Sequence, residues 1–136
     1  MYTQTFYWNW DDFATTDASS GYKIPVTLPS GYLWHITEFG VNAATSYAAQ
    51  DTNYQTFTLS DASGNTIATV ANGPATGGLA IGPTVVTGVD TAMATAYDDV
   101  DCSSANKTVY IITAATGAGR AMVKVSGWIK AIPYRP

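Results

Sequence analysis

The chain predicts an all-β fold: an antiparallel β-sandwich of jelly-roll type with roughly eight strands. Three observations predict it. Several segments alternate apolar and polar residues at the two-residue strand repeat. Clusters of Gly, Pro, Asn, Asp and Ser separate those segments at regular spacing. No amphipathic helix longer than two turns is evident. The 136 residues make one domain, 1–136. A chain of this length buries about two thirds of its unfolded surface, enough for a core without disulfides.

Each element follows from its own pattern. In residues 1–10, an aromatic N-terminal strand or arm, Tyr2, Phe6, Trp8 and Trp10 share one parity with Gln4. Residues 11–21 (DDFATTDASSG) are turn-rich and predict a loop. Tyr22, Ile24, Val26 and Leu28 then alternate with Lys23, Pro25 and Thr27. Pro25 has no N–H for a ladder bond, which puts that strand at a sheet edge or a bulge. After the Pro29-Ser30-Gly31 turn, Tyr32, Trp34 and Ile36 run in phase, then Phe39, Val41 and Ala43 out of phase. The switch at Thr37-Glu38 predicts a bulge or a strand that changes sheets.

Residues 54–60 and 66–71 flank Asp61-Ala62-Ser63-Gly64-Asn65, a hairpin signal with a glycine available for positive φ. Residues 72–78 predict a loop. Residues 79–89 predict one or two short strands interrupted by Gly82-Pro83 and Gly88. Residues 90–107 are the least patterned, with a possible helical turn around Met93 to Tyr97. The β-branched run Val109 to Ala115 predicts a central buried strand. Thr116-Gly117-Ala118-Gly119 turns the chain, and residues 120–132 close it with Ala121, Val123, Val125, Ile129 and Ala131 on one parity. Residues 132–136 form a tail that its prolines keep extended.

Charge narrows the function classes. Only 12% of residues are charged, against roughly 25% in an average soluble domain. Few ions then need desolvating when another surface is applied. The net charge is −4, and the six Lys and Arg are scattered. Nucleic-acid binding calls for a clustered basic stripe, and anionic membranes disfavour an acidic chain. The opening Met1-Tyr2-Thr3-Gln4-Thr5 lacks a basic and an apolar signal region, so synthesis in a cytoplasm is expected. Cys102 is the lone cysteine, which rules out an internal disulfide and a Cys-based zinc site.

No residue set spells out catalysis, and no catalytic, cofactor or metal residues are expected. His35 is the only histidine, and no nucleophile-elbow pattern supplies a serine for a triad. Asp98-Asp99-Val100-Asp101, with Asp90 nearby, is the densest acidic cluster; its spacing departs from an EF-hand, and a solvated loop is the plainer expectation over Ca²⁺. Asp11-Asp12 and Asp51 are weaker signals. Glu38 is the only glutamate, so no carboxylate pair of the glycosidase kind stands out. Four Trp and nine Tyr remain. Mid-strand Trp34 and Trp128 belong in the core or an inter-subunit seam. The N-terminal aromatics either pair within their own sheet or lie on a neighbour, and the two are compatible. The interface candidates are therefore Tyr2, Phe6, Trp8, Trp10, Tyr134 and Arg135.

From Pro25 onward the chain resembles small virion structural proteins of tailed bacteriophages, in particular capsid decoration (cement) proteins. The features are the LPSGYLWHITEFGV opening, the TLSDASGNTIATV hairpin, the GRAMVKVSGWIKAIPY ending and the Ala/Thr/Gly-rich loops. The resemblance implies a non-enzymatic homo-oligomer, commonly a trimer, made in the host cytoplasm. It would be seated on the outer capsid surface, with the major capsid protein and its own copies as partners and no cofactor. An alternative is a carbohydrate-binding module of a tail or adsorption apparatus. A hydrolase built on aspartates is a third, weaker class.

Overall fold

The computed structural model describes residues 2–9, 22–43, 47–48, 54–71, 78–79, 82–87, 93, 96–116 and 125–135. Its strands are β1 (Gln4–Asn9), β2 (Tyr22–Leu28), β3 (Leu33–Ala43), β4 (Tyr47–Ala48), β5 (Tyr54–Ser60), β6 (Thr66–Ala71), β7 (Gly78–Leu79), β8 (Gly82–Thr87), β9 (Asp99–Asp101), β10 (Lys107–Thr116) and β11 (Val125–Tyr134). Among the described residues there is no helix. Met93 forms an isolated bridge with Ala68 and residues 96–97 turn, while residues 94–95 of the helical turn expected there lie outside the described residues.

Two antiparallel sheets carry the fold. One runs β1-β11-β3-β8, with β9 also on β3, and the other runs β2-β10-β5-β6. The eight strands of six or more residues pair first with last, second with seventh, third with sixth and fourth with fifth. Successive pairs alternate between the sheets. That is the order produced by rolling one long hairpin into a sandwich, the jelly roll. β4 and β7 form a separate two-stranded pair.

The two-residue repeat explains which face is buried. Across the first sheet, Phe6, Ile129 and Phe39 are register partners, as are Trp8, Gly127 and Val41. Ile24, Ile111, Leu59 and Ala68 make the corresponding row of the second sheet. All but Phe6 of these apolar side chains are buried, and Phe6 packs against the core they form. The aromatic N-terminal strand thus pairs within its own sheet. Trp8 is 3% exposed and stacks near Phe39 at 6.2 Å.

Several local expectations are met for physical reasons. β2 is an edge strand, where Pro25 is exposed and its missing N–H is harmless. β10 is central, between β2 and β5, with Val109 and Ile111 fully buried. Glu38 pairs with Lys130 but Ile36 with Ala131, so Thr37 is an extra residue, a bulge, where the parity of β3 changes. In the β5–β6 turn Gly64 has φ of 90°. Asp61 Oδ1 accepts the N–H groups of Ser63 at 3.0 Å and Asn65 at 2.8 Å. Two expectations need correction: residues 132–134, expected in a tail, continue β11 because they pair with β3, and Gly82-Pro83 opens β8 and does not interrupt it. Pro83 is tolerated because β8 is also an edge. Residues 11–21, 72–77 and 117–120, with Trp10, Asp51 and Asp90, lie outside the described residues.

Two glycines admit two indoles on opposite faces of this sheet. A Cβ on Gly127 would overlap the Trp8 ring on the core side and the Gly40 carbonyl. A Cβ on Gly40 would overlap the Trp128 ring. Gly127 faces backbone that cannot yield, whereas the half-exposed Trp128 can swing toward solvent. Gly127→Ala should therefore cost about 3 kcal/mol, the upper end of overpacking penalties, and Gly40→Ala about 1 kcal/mol. Urea unfolding of both variants checks the ranking.

Candidate functional site

Three features of the described surface are candidates. The first is an aromatic rim at one end of the β1-β11-β3 sheet. Tyr134 pairs with Leu33, the residue after Tyr32, and Tyr2 lies two residues before Gln4, the partner of Ala131. Register therefore brings Tyr2, Tyr32 and Tyr134 to the same end. They are 88%, 37% and 41% exposed, and Arg135 beside them is exposed too. The end is rigid. Trp34 Nε1–H donates to the Pro29 carbonyl at 2.8 Å, and Tyr32 meets the Trp34 ring edge-on at 5.6 Å. The Gly31 N–H donates to the Cys102 carbonyl at 2.8 Å, and the Cys102 N–H to the Tyr32 carbonyl at 3.0 Å. Burial pushes the Cys102 thiol up, so it packs as an apolar residue.

Of the six interface candidates, Tyr2, Tyr134 and Arg135 are on this rim. Phe6 and Trp8 lie on the core-facing side of β1. Phe6 is half-buried against Trp34, with ring centroids 5.3 Å apart, and Trp8 belongs to the core. The inward parity of β1 consumes both. Trp10 lies outside the described residues.

The second feature is on the outer face of the same sheet, where Tyr7, Trp128 and Gly40 are register partners. Tyr7 is 79% exposed. The Trp128 ring lies over Gly40, and its Nε1–H donates to Glu38 Oε2 at 2.5 Å. Lys130 Nζ holds the same carboxylate oxygen at 3.2 Å. Tyr7, Trp8, Asn9, Asn42, Ser126, Gly127 and Trp128 line a shallow groove of about 390 Å³ there. Its walls carry amide and hydroxyl groups and no charge. Alternation makes Tyr7 face outward, but only the tertiary register sets it beside Trp128.

The third feature joins the lone histidine to the acidic run. β9 pairs with the start of β3, which puts His35 opposite Asp99. His35 Nδ1 is 2.6 Å from Asp99 Oδ1 and 3.9 Å from Asp98 Oδ1. The Tyr134 ring meets the imidazole at 6.4 Å. The imidazole and acids converge at the surface: the His35 side chain is 35% exposed and that of Asp99 59%. Among the described residues no hydroxyl nucleophile joins them.

Among the described residues, Asp61 and Asp101 are engaged in turns. Asp61, Asp99, Asp101 and Lys107 line a small cleft of about 160 Å³ between the β5–β6 turn and β9. The Ser103 hydroxyl, followed by its backbone N–H at 2.9 Å, lowers the Asp101 carboxyl below its ordinary value. Burial pushes Asp61 up, but the Asn65 side chain and the N–H groups of Asn65, Ser63 and Gly64 outweigh it, and its carboxyl is held low. Asp11-Asp12 lie outside the described residues.

No protein family, curated protein or solved structure matches this chain.

The lowered Asp61 carboxyl fixes the sign of a pH effect. Its folded value is below the unfolded one, so the charge stabilises the fold above about pH 4, the ordinary carboxylate value. That contribution disappears as the pH falls through the folded value. Wild type should exceed Asp61→Asn in urea midpoint at neutral pH, and the gap should close as the pH falls below about 4 and through the lowered folded value.

Proposed function

We propose that the chain is a non-enzymatic virion structural protein, a capsid decoration protein that stabilises a shell from its outer surface. The observation that carries this reading is the tyrosine rim of Tyr2, Tyr32 and Tyr134 at the end of β11, on a domain with few charges. Tyrosine is enriched at protein interfaces, supplying apolar contact area and a hydroxyl at low conformational cost. The small number of charges over the whole chain keeps the desolvation cost of such contacts low. Repeated contacts on a lattice then add through multivalency, so each can be modest. The jelly-roll order suits this role, since capsid and lectin domains both use it. Its partners would be the major capsid protein and further copies of itself.

Sedimentation of the purified chain should give a multiple of the 14.4 kDa subunit mass. A double variant, Tyr2→Ser with Tyr134→Ser, should shift it toward monomer without loss of folding, because both rings are exposed. The protein should bind saturably to undecorated capsids of the virus whose genome encodes it. A monomer that ignores such capsids would overturn the reading.

One observation favours a second reading, a carbohydrate-binding module. The Tyr7–Trp128 groove offers two aromatic faces for the C–H faces of a sugar, and Asn42 and Ser126 line it with polar groups that suit sugar hydroxyls. Its volume is in the range of small-ligand sites, roughly 300–1,000 Å³. A glycan array should then show hits that Trp128→Ala and Tyr7→Ala remove. An array without hits would eliminate this reading and leave the first untouched.

A further inference from the structure

The His35 cluster has a charge arrangement that the turns around the other acids do not. Two carboxylates, Asp98 and Asp99, approach the same imidazole nitrogen. Together they carry two negative charges, and an imidazolium offers only one positive charge in return. Asp98 sharpens the imbalance. It is 4% exposed, and its Oδ1 lies 3.9 Å from His35 Nδ1, too long for a hydrogen bond. Removing a carboxylate from water is costly unless it is paired or ligates a metal. A divalent cation would balance both carboxylates with the imidazole neutral.

We propose that His35 Nδ1, Asp98 Oδ1 and Asp99 Oδ1 bind a borderline divalent transition-metal ion of the Zn²⁺ class, with solvent water completing the coordination. The three ligand atoms lie within 4.8 Å of one another. Bonds of roughly 2.1 Å at a tetrahedral angle would place nitrogen and oxygen ligands about 3.4 Å apart. The two nitrogen–oxygen distances, 2.6 and 3.9 Å, straddle that value. Side-chain adjustments of under about 1 Å would suffice to seat the ion. Imidazole nitrogen beside carboxylate selects zinc-like ions over Ca²⁺, which takes six to eight oxygen ligands.

The protein supplies a firm frame for the ligands. The Ile36 N–H donates to the Asp98 carbonyl at 2.8 Å, and β9 is hydrogen-bonded to β3 through Asp99, Val100 and Asp101. The Tyr134 ring packs against the imidazole. A bound ion would tie position 35 to positions 98 and 99, cross-linking β3 to a segment distant in sequence. Folded and unfolded chains would then differ in affinity, so the ion should raise thermal stability.

The test uses the tag-free full chain and Zn²⁺ alone, and it is independent of capsid or sugar binding. Calorimetry should show one Zn²⁺ per chain, with a melting temperature that climbs with Zn²⁺ concentration. His35→Ala and Asp98→Asn should each weaken binding by at least about tenfold, the lower end of what even an outer-shell loss costs. Asp101→Asn should bind as wild type does, since that carboxylate belongs to the Ser103 turn. Because the chain has one histidine, its imidazole nitrogen resonances report ligation directly and need no variant that might misfold. Imidazole resonances unmoved by saturating Zn²⁺ would overturn the proposal. So would an Asp98→Asn protein that binds like wild type, or Ca²⁺ binding as tight as Zn²⁺.

Discussion

The bulge at Thr37 is the constraint on which the first sheet depends. β3 spans eleven residues and pairs with β11 along its whole length. A strand of strict alternation would send either Trp34 and Ile36 or Phe39 and Val41 into solvent. The extra residue resets the parity, so all four are buried. The Thr37 hydroxyl donates to the Lys130 carbonyl at 3.3 Å, which helps to satisfy the disturbed ladder. The reset also divides the labour of β3 along its other edge. Residues before the bulge pair with β9 and residues after it with β8. His35 meets Asp99 for that reason.

The same sheet shows how aromatic bulk is handled when charges are few. Gly127 and Gly40 leave open the space that Trp8 and Trp128 fill from opposite faces. On the core side the fit has a cost, since the Trp8 Nε1–H is buried without an acceptor. A lost hydrogen bond of this kind costs about 1–3 kcal/mol, less than the loss expected for deleting a buried indole, about 3–5 kcal/mol. On the solvent side the Trp128 N–H is satisfied by Glu38, and Lys130 neutralises that carboxylate. The only glutamate of the chain is thus a support for an aromatic surface.

Three surface features emerge, two of them adjoining through the Tyr134–His35 contact, and they are not interchangeable. The tyrosine rim is exposed and terminal, suited to another protein. The Tyr7–Trp128 groove is concave and neutral, suited to a hydroxyl-rich ligand. The His35 cluster is small and acidic, suited to an ion. Each is held by backbone pairing of the same sheet, which gives the side chains fixed positions. A scaffold of this kind supports many functions, so the surfaces carry the argument and the fold does not.

Much of the fold was legible in the residues because alternation, turn chemistry and proline each act locally. The parity switch marked the Thr37 bulge, Pro25 marked an edge strand, and the Asp61–Asn65 run marked a hairpin with Gly64 in the left-handed region. Local pattern also showed Phe6 and Trp8 on one face, but not that this face was the core. Burial depends on which sheet lies opposite, a property of the whole chain. Tyr7, of the opposite parity, became the exposed ring for the same reason. The meeting of His35 with Asp98 and Asp99 was likewise invisible. Sixty-odd residues separate them, and only the pairing of β9 with β3 closes that distance.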